Sequence, residues 1–226
     1  ANGLASWKAV GSLVGAFTNN QGRTNAEAFG LNAVVNATDG TVFGNGAKTN
    51  QFGGVGGTAI GRGAGANNNY ATSIGYNANA VTHRSTAIGS STYSYQDSVA
   101  IGYGSNSGAN SIAIGRSATV QSQSNTFVAG SSNTPITKIY FGDGIDDATP
   151  SDITFFGTSG EGTDIAGADL SITAGRGTGT TNGGDLIFYT ANGSTTSSTT
   201  INTAKERMRI TQAGLITVNG NFAIRD

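Results

Sequence analysis

The chain has 226 residues, of which 36 are glycine and only 11% are charged, and its formal net charge is −1. Six leucines, three glutamates and four lysines leave few good helix formers, so the composition excludes a helical domain. The near-neutral charge gives no footprint for nucleic acid or a basic membrane patch, the lack of cysteine excludes a disulfide framework or a thiolate metal site, and no stretch approaches the ~20 apolar residues that cross a bilayer.

Charge is unevenly spread. Residues 1–140 hold three acids and seven bases, whereas residues 141–226 hold ten acids and five bases, which predicts a boundary near residue 140. The chain opens at Ala1 without a charged-then-apolar leader, so a fragment or a processed product is expected.

Along the chain the first clear signal is a repeat. Thr58-Ala59-Ile60-Gly61, Thr72-Ser73-Ile74-Gly75, Thr86-Ala87-Ile88-Gly89, Val99-Ala100-Ile101-Gly102 and Ile112-Ala113-Ile114-Gly115 place their glycines 14, 14, 13 and 13 residues apart. Weaker copies precede them at Val14-Gly15, Phe29-Gly30 and Phe43-Gly44, and one follows at Val128-Ala129-Gly130. Three and five residues after the glycines a second pattern of small residues recurs, as in Ala33/Val35, Ala64/Ala66, Ala78/Ala80, Thr92/Ser94 and Ser105/Ser107. Each repeat therefore encodes two short strands with a glycine at the corner between them.

Alternation within the first strand puts bulk on one face and Ala or Ser on the other. This predicts Ile60, Ile74, Ile88, Ile101 and Ile114 as one stacked internal column. A unit of about 14 residues cannot close a core alone, so the coils must stack into a solenoid rising ~4.8 Å per coil. Such a thin rod has too little apolar interior to offset chain entropy, and three chains around one axis would supply a second seam. The expected architecture is all-β: a trimeric, fibrous parallel β-roll or β-solenoid followed by a second Gly-rich β segment. Degenerate repeats fill 1–57, the regular repeats 58–135, and the second segment 136–226.

The Ala-Ile-Gly-x-x-Ala-x-Ala pattern over residues 58–130 resembles the head repeat of trimeric autotransporter adhesins. That resemblance implies a trimeric left-handed parallel β-roll. Phage fibres use the same repeat, and the second half bears on the choice. Ile139-Tyr140-Phe141-Gly142-Asp143-Gly144, Gly162-Thr163-Asp164-Ile165-Ala166-Gly167-Ala168-Asp169-Leu170, Ala174-Gly175-Arg176-Gly177-Thr178-Gly179-Thr180, Gly183-Gly184-Asp185-Leu186-Ile187-Phe188 and Glu206-Arg207-Met208-Arg209-Ile210 before Gly214 look like the distal segment of bacteriophage tail fibres. In such fibres the segment often leads to a C-terminal chaperone that cleaves itself off after trimerisation, a part of the pattern that these 226 residues do not test. Read from residues alone, Asp169 to Thr173 and Asp185 to Thr190 are strand-like. Glu206 to Ile210 alternates as a strand with Met208 and Ile210 inward, and Glu206 is placed to pair with an arginine.

Chemistry is sparse. Asp143, Asp146, Asp147 and Asp152 suggest a calcium loop or a glycosidase pair, but no glutamate closes an EF-hand, and Asp and Gly beside Pro150 read as turn formers. The glycine runs at Gly61 and Gly175 precede no helix, so they lack the dipole and free amides of a phosphate cradle. His83 is the single histidine and sits in a polar turn. Neither catalysis, cofactor nor metal site is expected.

The residue after each repeat glycine should occupy one corner of successive coils. Arg62, Tyr76, Ser90, Tyr103 and Arg116 stand there, and arginine and tyrosine dominate many recognition surfaces. Arg62, Tyr76, Tyr103 and Arg116 are the candidate receptor contacts, with Tyr189 and the loop at Asp146 next. The resemblances imply an extracellular virion tail fibre. Its partners would be two further copies of the chain, other virion tail proteins, and a host-surface glycan or protein receptor. The head of a bacterial autotransporter adhesin is the alternative, and a depolymerase tailspike lacks the spaced acids of a cleavage groove.

Overall fold

A computed structural model describes residues 23–49, 54–120, 123–141, 152–193, 195–196 and 201–220. The expected early repeat at Val14-Gly15 and the acids Asp143, Asp146 and Asp147 lie outside the described residues. The chain falls into two compact units, Ala1–Ile145 and Asp146–Asp226, and the described residues contain strands and turns without helix.

The first unit is a parallel solenoid. Its longer strands are β1 (Glu27–Phe29), β3 (Thr41–Phe43), β5 (Thr58–Ile60), β7 (Thr72–Ile74), β9 (Thr86–Ile88), β11 (Val99–Ile101), β13 (Ile112–Ile114) and β14 (Phe127–Ala129), which form one eight-stranded sheet in that order. Their partners across each coil are β2 (Val34–Val35), β4 (Lys48–Thr49), β6 (Gly65–Ala66), β8 (Asn79–Ala80), β10 (Tyr93–Ser94) and β12 (Asn106–Ser107), a six-stranded parallel sheet. Register is strict. Ile60 pairs with Ile74, Ile74 with Ile88, Ile88 with Ile101 and Ile101 with Ile114, so equivalent residues stack along the axis.

The corner glycines explain why the repeat tolerates no side chain there. Gly102 has φ +122°, and a Cβ built on it would stand 2.5 Å from the carbonyl oxygen of Gly115 in the next coil. Both the backbone conformation and the space exclude an L side chain. The turn after each glycine is itself laddered: Asn77 N donates to Arg62 O, Ser91 N to Tyr76 O and Ser117 N to Tyr103 O, at 2.8–2.9 Å. Turns as well as strands thus satisfy their backbone groups from coil to coil.

The isoleucine column is stacked as expected, but it is not internal to the coil. Ile60, Ile101 and Ile114 are 38%, 36% and 37% exposed, whereas the residues between the bulky ones, Ala59, Ser73, Ala87, Ala100 and Ala113, are fully buried. Strands of three and two residues joined by tight turns leave a lumen that accepts Ala, Ser, Thr and Val, and the bulky member of each alternating pair is turned outward. The lumen also changes along its length. Val35, Val42, Ala59, Ala64 and Ala66 fill the early coils, while Ser94, Ser98, Ser105, Ser107 and Ser111 fill the later ones. These hydroxyls are paired: Ser98 Oγ donates to Tyr95 O at 2.7 Å and lies 2.8 Å from Ser107 Oγ, and Ser105 Oγ donates to Gly102 O at 3.1 Å.

The second unit is a meander of β15 (Leu186–Ala191), β16 (Ala204–Ile210) and β17 (Ile216–Val218), antiparallel throughout. Glu206 to Ile210 is a strand, as its alternation indicates, and Leu186 pairs with Ile210 and Phe188 with Met208. A bulge falls between Phe188 and Tyr189. The other predicted run, Asp169 to Thr173, belongs to no ladder. Its Leu170 and Ile172 are 56% and 63% exposed, and among the described residues no strand pairs with this run, although its alternation calls for one.

Candidate receptor-contact surface

Stacking of the first unit gives three outward surfaces of different character. The first is the outer face of the eight-stranded sheet. Phe29 and Phe43 stack there with centroids 4.9 Å apart, and Ile60, Ile74, Ile88, Ile101 and Ile114 continue the line. Beside it runs a second column that changes from Thr41, Thr58, Thr72 and Thr86 to Val99, Ile112 and Phe127. Phe43 is 54% and Phe127 63% exposed, so this is a continuous apolar stripe of the kind that marks an interaction face.

The second surface is the corner after each glycine. Arg62, Tyr76, Ser90, Tyr103 and Arg116 occupy successive coils there, held by the turn ladder described above. The guanidinium of Arg62 lies 5.6 Å from the centroid of the Tyr76 ring, and that of Arg116 lies 5.8 Å from Tyr103. The column is therefore two Arg–Tyr pairs separated by Ser90. Each guanidinium steadies a ring that projects into solvent, a contact of about 0.5–1 kcal/mol at exposed sites. Both rings remain roughly half exposed.

The third surface is the outer face of the six-stranded sheet. Val34, Lys48, Gly65, Asn79, Tyr93 and Asn106 follow one another in register, a polar series apart from its first member. Tyr95 stands two residues beyond Tyr93 on the same side, with Ser94 between them buried. Sequence reasoning passed over Tyr93 and Tyr95. Their signal was the pair Tyr93 and Tyr95 flanking Ser94, at repeat positions where none of the other copies carries an aromatic residue.

At the remaining corner Arg84 grips Asp97 of the next coil through Nε to Oδ1 at 2.5 Å and Nη2 to Oδ2 at 2.9 Å. Hydrogen bonds from Arg84 and then Gln96 hold the Asp97 carboxyl below the usual range. His83 is exposed in this turn, as its polar neighbours suggest.

In the second unit Arg209 is clasped by two acids. Its Nε donates to Glu206 Oε1 at 2.9 Å and its Nη1 to Asp185 Oδ2 at 2.5 Å, and Asp185 Oδ1 accepts the Gln212 amide at 2.9 Å. These donors lower both carboxyl pKa values, and the acids raise that of Arg209. The expected partner of Glu206 is thus its own strand neighbour three residues on. An open cleft of about 470 Å³ runs past Ile172, Arg176, Leu186, Ile210 and Gln212. Among the described residues no three His, Cys, Asp or Glu side chains gather as a metal site, and Asp152 is exposed and solitary. No helix among them is long and apolar enough to cross a membrane. Tyr189 is 57% exposed on β15.

Four stretches, residues 53–78, 66–92, 96–118 and 107–122, match the YadA head domain repeat. They fall on the regular coils, so this part of the chain is similar to the head of trimeric autotransporter adhesins in sequence motif as well as in its parallel β-solenoid. The two blocks of matches part at residues 93–95. No curated protein matches the chain.

Proposed function

We propose that this chain is a non-enzymatic adhesive rod of the bacteriophage tail-fibre kind, working as a homotrimer that attaches a virion to its host. The observation that carries the adhesive reading is the coincidence of adhesin-type head repeats with a solenoid whose apolar column faces outward. In the trimer, Ile60, Ile74, Ile88, Ile101 and Ile114 become core. Three apolar stripes meet at the axis, and taking the exposed third or so of each isoleucine from water contributes about 0.5–1 kcal/mol. The rod is then stiff because every coil is hydrogen-bonded to the next. Stiffness lowers the ordering cost of each contact, and many fibres on one particle multiply weak ones. Arg62, Tyr76, Tyr103 and Arg116 are its proposed receptor contacts.

The viral assignment is supported by the five ordered motifs between residues 139 and 214. The head of a bacterial autotransporter adhesin is favoured instead by the repeat match itself. Antibody against the purified chain separates them. Labelling of phage tails and inhibition of adsorption are expected, and labelling of a bacterial surface with unmarked virions would assign the chain to the adhesin. Either reading places it outside the cell, and light scattering that returns a monomer at micromolar concentration would refute the trimer.

A further inference from the structure

We infer that Tyr93 and Tyr95, with Asn79 and Asn106 beside them, form a binding surface for an extended neutral oligosaccharide. This rests on the reading of the chain as an adhesive rod, and it places a contact on a different face from the corner column.

Three observations converge on it. The rings project from Tyr93, the first residue of β10, and from Tyr95, just past its end, 44% and 42% exposed, with Ser94 buried between them. Among the described residues neither ring has an aromatic or cationic partner and neither phenol has a hydrogen bond, in contrast to Tyr76 and Tyr103, which each carry a guanidinium. Asn79 and Asn106 stand directly opposite Tyr93 on either side of the ladder. The Asn79 Oδ1 accepts Asn67 Nδ2 at 2.6 Å, which fixes that amide and leaves its own Nδ2 to donate outward. The Asn106 amide has no partner among the described residues.

The chemistry of the occupant follows. Positions two apart on a strand are about 6.6 Å apart, so a ligand that covers both rings must present successive flat apolar faces. Consecutive pyranoses of an extended oligosaccharide do this, and their equatorial hydroxyls meet the flanking amides and phenols. The nearest charges, Arg84 and Asp97, neutralise each other, so an ionic ligand has no counter-charge to find. The surface is a ridge rather than a groove, since the coil beyond Tyr95 offers Gly108. A proline-rich peptide, which needs aromatic walls on both sides, is less well served. This sheet is also the one left outside when the apolar stripes meet at the trimer axis.

The test uses the intact trimer titrated calorimetrically with cellohexaose and N-acetylchitohexaose. Saturable binding of at least one, unchanged by added salt, is expected. Y93A/Y95A should lose about tenfold affinity per ring, Y93F/Y95F should keep most of it, and Y70A, which removes a ring 62% exposed outside both proposed contact surfaces, should bind as the parent does. Both rings lie outside the lumen, so trimer mass and the far-ultraviolet spectrum should not change. Absence of binding to either sugar, equal binding by Y93A/Y95A, or preference for a proline-rich peptide would overturn the site. Adsorption of the parent protein to cells is measured in parallel. A parent that adsorbs while its sugar titration is flat sinks the site alone, and a parent that adsorbs to no cell type sinks the adhesive reading.

Discussion

The two units of the chain solve the same problem, a Gly-rich sequence with little apolar bulk, in opposite ways. In the solenoid each coil is the template for the next, and the lumen is closed by Ala and Ser within one chain. In the second unit Ile153, Phe155, Phe156, Ile165, Leu170 and Ile172 are all more than half exposed, with Phe156 at 87%, and among the described residues β15 to β17 form its ladder. The lesson is that burial inside a chain and burial between chains call for different residues. The repeat holds small side chains in and bulky ones out, whereas the second unit leaves bulky side chains exposed among the described residues.

The sharpest way to break this contrast is to charge the outward column. I88D/I101D puts two carboxylates per chain, six per trimer, into the proposed seam. Loss of that burial at about 0.5–1 kcal/mol per isoleucine, with the larger penalty of uncompensated charge in the seam added, should leave monomers by light scattering. The coils themselves should survive as β structure in the far-ultraviolet spectrum, because the lumen is untouched. A trimer that persists would show that assembly resides in the second unit instead.

Gly102→Val attacks the other half of the contrast, closure within a coil. The left-handed φ and the Gly115 oxygen at 2.5 Å both oppose it. The cost should be on the order of 3 kcal/mol per chain, read as a fall in melting temperature and as protease cleavage near the corner. The neighbouring Gly104→Ala, whose Cβ would meet only Ser117 Oγ at 3.7 Å, isolates the conformational part and should cost roughly 1 kcal/mol. If the two variants melt alike, packing against the next glycine is not what the corner requires.

Much of the first unit could be read from residues. The period, the two strands per coil, the corner glycines and the stacking of Ile60 to Ile114 follow from spacing alone, because a parallel ladder in zero register repeats whatever the sequence repeats. Which face points inward could not be read from alternation. Alternation gives two faces, and the usual assumption that bulk goes in fails when the lumen is too narrow for isoleucine. Ala59 and Ala100 decide this, and only the closed coil shows it. The corner column was legible as a column, but the splitting into Arg62–Tyr76 and Arg116–Tyr103 pairs depends on rotamers. The strand at Glu206 was legible from period two, while the run at Asp169 alternates equally well and joins no ladder among the described residues, since alternation specifies a face and not a partner.

Y76A/Y103A asks which unit makes the receptor contact. Each ring should be worth on the order of 2 kcal/mol, a factor of ~30, with avidity enlarging the loss of adsorption to cells. The trimer should stay intact because both rings stand outside the stripe. Adsorption at the parental rate would leave the corner as a solvated ridge and move the search to Tyr189 and the C-terminal segment.

The smallest effect concerns how the second unit holds the ladder of β15 to β17. Arg209 joins Glu206 of its own strand to Asp185 just before β15, so the ion cluster ties two strands where little else is buried. Hydrogen bonds from Arg209 lower the folded-state pKa of both acids. A lowered folded pKa means that the folded state holds fewer protons than the unfolded chain as acid is added. The contribution is therefore complete above the ordinary carboxylate range, at about pH 5 and higher, and drains away as pH falls through and below about pH 4. All three groups face water, so screening keeps the effect small and salt should reduce it further. Hydrogen exchange at the amides of Arg207 to Ile210 is the proper readout, because it reports this ladder separately from the solenoid. Protection should be flat near neutrality and decline in acid once intrinsic rates are corrected, and R209M should lower the neutral value while flattening the acid decline. An R209M ladder with parental protection and the same acid decline would show that strand pairing, and not the ion cluster, holds β15 to β16.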